Sequence, residues 1–473
     1  MIVTEKAVDF KSLECKIFKM VCGWGCELMK QALEHYDDQL MQERDRTVYR
    51  HKGQRKTAIK TVMGTVEYSR SVYQQKNEDG TKSCVYLLDE ALGNEGSGLM
   101  SGNMAELVTI AACESSYRAA ARAVSEMTGQ TISHQAAWDV VQELGKRVDA
   151  QENRAAQLAT AHKGMGKLES PVLFEEQDGI WLPLQGKSRK QHGPKREMKL
   201  SIAYDGAKET GKKRYELTNK VACANFETVG MFQKRKEGAI AAVYSVDEIE
   251  MRLLNGDGAE WIKGAIIDDT TYFQLDPYHR NKAVLQYVSD PDARKVIFNL
   301  LYSKQTDLLL NVIEAYSNST EDEKERDNFL TLLTYFQNNK DGLVPCHRKG
   351  ISLPEPPEGI EYRRMGCMES NIFTIIGNRM KGRRALWSID GGNNLARLLC
   401  LKATKKLSEV LQSLTISALP EKYAEEIRVL SPSKIAKSVG KGYNGFSKAA
   451  SCPATPDYKW LRSIGALRPL FEI

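Results

Sequence analysis

A chain of 473 residues, 42% hydrophobic and 27% charged, has room for more than one domain and at least one large core. The balance is ordinary for a soluble globular protein, and no apolar run approaches the ~18 residues of a membrane span. A net charge of +6 permits nucleic-acid binding without requiring it.

Ten cysteines are scattered from Cys15 to Cys452, which suits free thiols in a reducing compartment better than a disulfide scaffold. Cys22 and Cys26 have only His35 nearby, and no second ligand pair stands at zinc spacing. With no signal peptide in view, the expected location is cytoplasmic, at the bacterial nucleoid if the partner is DNA.

Residues 1–48 have the mixed apolar and charged pattern of one or two helices. The segment TAIKTVMGTVEYSRSVYQ then alternates β-branched and polar residues around Met63-Gly64, predicting a hairpin. Arg44, Arg46, Arg50, Lys52, Arg55, Lys56 and Lys60 make its approach basic, either to lie on DNA or to keep an edge soluble. These elements define a first region, residues 1–100.

Residues 101–150 read as a helix, a turn at Thr128-Gly129-Gln130 and a second helix capped by Thr131 or Ser133. An Ala-rich helix followed by a tight Gly turn is similar to a helix-turn-helix, whose second helix enters a major groove. That helix would present Ser133, His134 and Gln135 to bases; an ordinary αα-hairpin is the alternative. A polar helical linker covers 150–168.

From Pro171 strand signals come in quick order: PVLFEEQDGIWLPLQ, MKLSIAYDG and RYELTNKVACANF, an expected antiparallel meander. A helix near Met231–Val243, the strand-like EIEMRLLNGDG, a short helix and TTYFQLD follow. Meander, helix, strand, helix, strand is the element order of a ribonuclease H-like fold. The expected fold is therefore mixed α/β. It has a ribonuclease H-like catalytic core, an all-helical insertion, and a preceding α-rich DNA-binding region with a small β-hairpin. The core would begin at 171–290, be interrupted by helices over 291–345, resume over 346–415, and be followed by a basic tail at 416–473. Two basic clusters, KSRKQHGPKREMK from Lys187 and KETGKKR from Lys208, are solvated loops or phosphate contacts.

Three acids fall where such a fold would gather them. Asp178 is placed at the end of the first strand before Gly179, Asp257 ends the fourth in Asn255-Gly256-Asp257-Gly258, and Glu369 opens a helix. Mg²⁺ demands hard oxygen ligands, and paired ions assist phosphodiester chemistry by activating one oxygen and neutralising another. Singly, each acid also fits a turn or a first helical turn. Glu176 shares the face of Asp178 at strand spacing, and Glu175 points the other way.

The segments EEQDGIWLPLQG, NGDGAEWIKGAI, QLDPYHRNKAV and GCMESNIFTIIGNRMKGRRALWS carry a family resemblance. With them the chain resembles the DDE-type transposases of bacterial insertion sequences, in the ISLre-type group with kinship to Mutator-like transposases. The resemblance runs through nearly the whole length. It implies that Asp178, Asp257 and Glu369 form the catalytic triad and hold two Mg²⁺ (or Mn²⁺) ions, Asp178 bridging both. It also matches Asp276-Pro277-Tyr278-His279 to a signature that would bring His279 close to the active site; an N-terminal helix residue satisfied by Asp276 is the alternative. Lys381, Arg383 and Arg384 would bind donor or target phosphate. Trp387 would stack on an unpaired base or lie buried beside that loop.

The expected activity is thus DNA transposition: metal-dependent strand cleavage at element ends, then strand transfer into target DNA. The expected partner is double-stranded DNA, bound by a homo-oligomer with no membrane involved. The alternatives are a nuclease of the same fold without strand transfer, or a helix-turn-helix regulator that needs no triad.

Overall fold

The computed structural model describes residues 9–77, 80–92, 100–266, 269–382 and 384–415. The basic tail expected at 416–473 and Arg383 lie outside them. Among the described residues the chain divides into two compact units, one drawn from 9–107, 123–132 and 415, the other from 108–122 and 133–414.

In the first unit a long helix, α1 (Phe10–Glu43), lies against the hairpin of β1 (Tyr49–Lys60) and β2 (Thr65–Lys76). β1 and β2 pair antiparallel, β3 (Lys82–Val85) adds to β2, and the short α2 (Leu87–Ala91) follows. Tyr36, Ile59, Val66, Tyr68 and Leu88 form its small core. Asp37 of α1, 1% exposed, accepts the Ser71 N–H at 2.8 Å, so a buried carboxylate satisfies a strand donor there.

Next come α3 (Gly102–Glu114), α4 (Tyr117–Thr128) and α5 (His134–Thr160). The second unit is built on a five-stranded mixed sheet. Its strands in chain order are β4 (Val172–Pro183), β5 (Lys195–Tyr204) after the short α6 (Gly186–His192), β8 (Val221–Asn225), β9 (Met251–Gly256) and β10 (Thr271–Leu275). The spatial order is β10-β9-β4-β5-β8: β4, β9 and β10 run parallel, while β5 is antiparallel to both its neighbours. The segment expected as the third meander strand is two strands. β7 (Arg214–Leu217) pairs with β6 (Ala207–Gly211) in a separate ribbon, and only β8 joins the sheet. The chain breaks between them at Asn219, whose φ of 49° is left-handed and incompatible with a continuous strand.

α7 (Val229–Ala241) and α15 (Ile389–Ala403) both pack on α5. Gly238 and Gly145 permit it: a Cβ would stand 2.6 Å from the Ala156 backbone at the first and 2.8 Å from the Asn394 backbone at the second. Charge closes the same three-helix seam. Arg235 and Arg397, each 5% exposed, share Asp149, Glu152 and Glu227, with Arg235 to Glu227 at 2.7 Å and Arg397 to Asp149 at 2.5 Å. On the sheet, Glu175 is held by Lys236 at 2.6 Å and Arg252 at 3.0 Å.

After β9 come α8 (Glu260–Lys263) and, beyond β10, α9 (Pro277–Tyr287), α10 (Pro291–Tyr302), α11 (Thr306–Ser319) and α12 (Glu323–Asn338). Ile297, Leu309, Ile313, Phe329, Leu332 and Phe336 of the last three form one core with Phe273 and Leu275 of β10. α13 (Met368–Ile372) passes through a π-helical turn (Phe373–Gly377) into α14 (Asn378–Met380); α16 (Leu407–Thr415) follows α15. The architecture is mixed α/β, and among the described residues no helix is long and apolar enough to cross a membrane.

Candidate metal centre

β4 lies at the middle of the sheet because its Val172–Phe174 run is apolar and buried on both faces. Its pairing with β9 ends at Gln177–Gly256, while its pairing with β5 continues to Pro183. Asp178 is therefore not a strand-end residue. It sits within β4 at the first position past the parallel neighbour, where the sheet opens on one side. Asp257 follows the last residue of β9, one step beyond the same register.

α9 brings the third group. Asp276 caps it, accepting the His279 N–H at 3.1 Å, and Pro277 occupies its first turn, where a missing donor costs nothing. The same Asp276 carboxylate lies 3.1 Å from His279 Nδ1, which fixes the ring and turns Nε2 to Glu369 Oε1 at 3.5 Å. His279 is satisfied by Asp276 and also faces Glu369. Asp178, His279 and Glu369 offer one ligand atom each, all within 4.8 Å of one another. Asp257 is outside that group. One of its carboxylate oxygens accepts the Ala259 N–H at 2.9 Å in an Asx-turn, and its backbone carbonyl accepts from Tyr335 Oη at 2.8 Å.

Electrostatics mark the cluster. Burial pushes the Asp178 carboxyl up to about 6; Asp257 and Glu369 add to that, while the Gly179 N–H and His279 oppose it. The hydrogen bond to Asp276 raises His279, helped by Asp178 and Asp257 and opposed by burial. One raised carboxyl, Asp178, beside one raised histidine, His279, marks the cluster as a candidate site.

The scaffold under Glu369 is a buried polar chain that sequence reasoning reached only at Glu176. Glu176, wholly buried, accepts Tyr204 Oη at 2.7 Å and Asn255 Nδ2 at 3.0 Å. It also accepts the N–H groups of Gly366, Cys367 and Met368 at 3.0, 3.3 and 3.2 Å, and the Cys367 thiol at 2.9 Å. Asn255 donates to Asp276 Oδ1 at 3.0 Å as well, and its own oxygen accepts from Gln274 at 2.9 Å. Burial and Glu176 together push the Cys367 thiol well above its usual range, so it stays protonated and donates.

Glu197 is a further acid near the centre. A Cβ on Gly179 would stand 2.1 Å from its Oε1, so the Glu197 side chain would have to shift to admit one. Burial raises the Glu197 carboxyl, Lys199 opposes, and Asp257 adds to the rise. The signal available in sequence was the glycine beside Asp178; the cross-strand register that brings Glu197 over it was not.

The residues expected to touch DNA are spread out. Ser133 caps α5, its hydroxyl accepting the Ala136 N–H at 3.0 Å, and Gln135 donates to Asp139 at 3.0 Å. His134, Gln135, Lys381 and Arg384 are exposed. Trp387 is buried, 6% exposed, with Nε1 donating to the Met380 carbonyl at 2.8 Å, so it is a core residue and not a stacking surface. An exposed tryptophan on the strand of Asp178 is Trp181 of β4, 58% exposed, on the face opposite Asp178. It could have been singled out as the outward-facing aromatic three residues past Asp178.

The donor set fits a hard divalent ion. Asp178 and Glu369 offer carboxylate oxygens and His279 an imidazole nitrogen, which is tolerated better by Mn²⁺ than by Mg²⁺.

The chain belongs to UPF0236, an uncharacterised protein family whose profile matches residues 3–409. It is 23% identical over 419 residues to a UPF0236 protein of Streptococcus gallolyticus named for the vanSb 3′ region, covering 84% of each chain. It is 24% identical over 481 residues to a UPF0236 protein of Caldanaerobacter subterraneus subsp. tengcongensis, covering 98% of this chain and 92% of that one. A second protein of that bacterium is 25% identical over 427 residues, covering 84% and 82%.

Proposed function

We propose that this chain is a DDE-type transposase with a ribonuclease H-like core, acting through Asp178, Asp257, Glu369 and His279. The observation that carries the reading is the meeting of Asp178, Glu369 and His279 within 4.8 Å at the centre of a mixed sheet, although 191 residues (369 − 178) separate the two acids. The name of the Caldanaerobacter relative joins eleven TTE designations, which reads as copies of one gene through one genome, as self-mobilising DNA would leave.

Asp178 and Glu369 would hold the divalent ion, with Asp257 completing the set after leaving its Asx-turn or through its free oxygen. Bound there, the ion would polarise the attacking oxygen and neutralise the leaving one. In the first step water adds to phosphorus, the bond to the 3′ oxygen breaks, and a 3′-hydroxyl is left at the element end. In the second step that hydroxyl adds to a target phosphodiester and displaces another 3′ oxygen. His279, oriented by Asp276, supplies charge or a hydrogen bond to the phosphate, and Asn255 and Glu176 hold the groups in place. DNA recognition by residues 101–150 and by Lys381, Arg383 and Arg384, and assembly as a homo-oligomer, belong to the same proposal.

The competing reading, a nuclease of the same fold, differs in the second step. The test is a joining assay with pre-cut duplexes from the flanks of the gene, in Mg²⁺ or Mn²⁺. Joined products support a transposase; cleavage of uncut duplex without joining supports the nuclease.

A further inference from the structure

Glu369 is on a short helix whose other residues border a second feature. Cys367, Ser370 and Asn371 line a cavity of about 700 Å³ that Glu369 itself does not line, well within the size range of small-ligand clefts. Its wall is unusually cationic: Lys220, Arg363, Arg364, Lys405 and Lys406 contribute five positive charges against the single carboxylate of Glu216. Lys405 engages that carboxylate, and Arg363 pairs with Glu361 at 3.7 Å. Among the described residues Arg364 and Lys406 have no acidic side chain in ion-pair range. Lys220 is partly withdrawn from water, reaching Asn371 Oδ1 at 3.4 Å, and burial pushes its ammonium pKa down.

The remaining wall suits a flat ring. The Arg363 guanidinium lies 3.4 Å over the Tyr215 ring, and Leu217, Val243 and Ala403 give an apolar floor. Guanidinium planes and aromatic faces are the surfaces on which unpaired bases stack. Excess cations beside a stacking wall, in a space that would admit one sugar, base and phosphate, define a ligand chemistry.

We propose that this cavity binds a nucleotide unit, its phosphate among Lys220, Arg364, Lys405 and Lys406 and its base against the Arg363–Tyr215 wall. The unit has two sources, a free nucleotide or an unpaired nucleotide of a bound DNA strand. Its chemistry does not depend on the transposase reading; only the assignment to a strand rests on it. Because Cys367 both lines the cavity and donates to Glu176, an occupant would press on the segment that sets Glu369.

The test is equilibrium binding to the full chain of a fluorescent nucleoside monophosphate, a short fluorescent single strand and, as competitor, inorganic phosphate. The wild type is compared with an Arg364→Gln/Lys406→Gln variant whose thermal melt matches it. Expected is a loss of about tenfold in affinity for one of the labelled probes, with the log–log salt slope for the strand falling by about 1.4 for two cations removed. Loss for the strand alone identifies DNA as the source; loss for the monophosphate identifies a free nucleotide. Equal affinity in both proteins, no binding of either probe to wild type, or competition by phosphate equal to that by nucleotide overturns the proposal. Asp178→Asn serves as control: it keeps probe binding whatever becomes of cleavage, so a failed cleavage assay is read separately from a failed cavity.

Discussion

Glu176 reaches across the chain to Glu369: its buried carboxylate accepts the three successive N–H groups, Gly366, Cys367 and Met368, that lead into the helix of Glu369. One acid of the strand thereby sets the position of an acid it does not touch. Glu176→Gln puts an NH₂ where donors already point, leaving buried groups unsatisfied. The expected loss is about 1–3 kcal/mol of stability, together with most divalent-ion affinity. Differential scanning calorimetry and metal titration on the same sample check both.

Asp178 should make the metal-free protein pH-sensitive. Its folded-state carboxyl, raised to about 6 chiefly by burial, holds its proton more tightly than the unfolded chain does. Its stabilising contribution is therefore present at acid pH and is lost as pH rises through about 6. His279, also raised, loses its contribution in the same direction. Asp178→Asn should remove the first slope and stabilise the metal-free protein above pH 6 by about 1 kcal/mol, discounted because the carboxyl is only partly buried. Urea denaturation from pH 5 to 8, without and with Mn²⁺, reads this; the ion should abolish the difference from wild type by stabilising the wild type.

Ion affinity should follow the same titration. Protons compete with the metal for Asp178 and for the raised His279, so Mn²⁺ affinity should climb through about pH 6 and go on rising until the imidazole is neutral. Calorimetric titration at five pH values suffices, and a flat profile would remove Asp178 from the ligand set.

Gly179 and Glu197 should behave as a pair. Gly179→Ala drives a Cβ into the Glu197 carboxylate and should cost about 1–3 kcal/mol. In a Glu197→Ala background most of that cost should vanish, a coupling that a double-mutant cycle measures directly.

How much of this could be read in the sequence depends on the range of the interaction. Glu175 facing away from Glu176 follows from strand alternation alone, and the structure pairs it with Lys236 and Arg252. The hairpin at Met63-Gly64 and the helices over 291–345 follow from local periodicity. Asp178 was misplaced at a strand end because Gly179 looked like a stop; pairing with β5 carries the strand to Pro183 regardless. Asn255 stood in the sequence only as a neighbour of Asp257, and its two carboxylate partners emerge from the registers of β4 and β10 on β9. Of the two readings of Trp387, stacking or burial beside the basic loop, burial is the one found, with an isolated bridge to Leu184 drawing it inside.

The central claim is tested most directly by strand cleavage of duplexes from the flanks of the gene, comparing wild type with Asp178→Asn in Mg²⁺ or Mn²⁺. The account predicts that both proteins bind the duplex equally and that only the wild type exposes a 3′-hydroxyl, with Asp178→Asn slower by at least about 10³-fold, on the scale of losing a catalytic group. Cleavage by Asp178→Asn at the wild-type rate would contradict it.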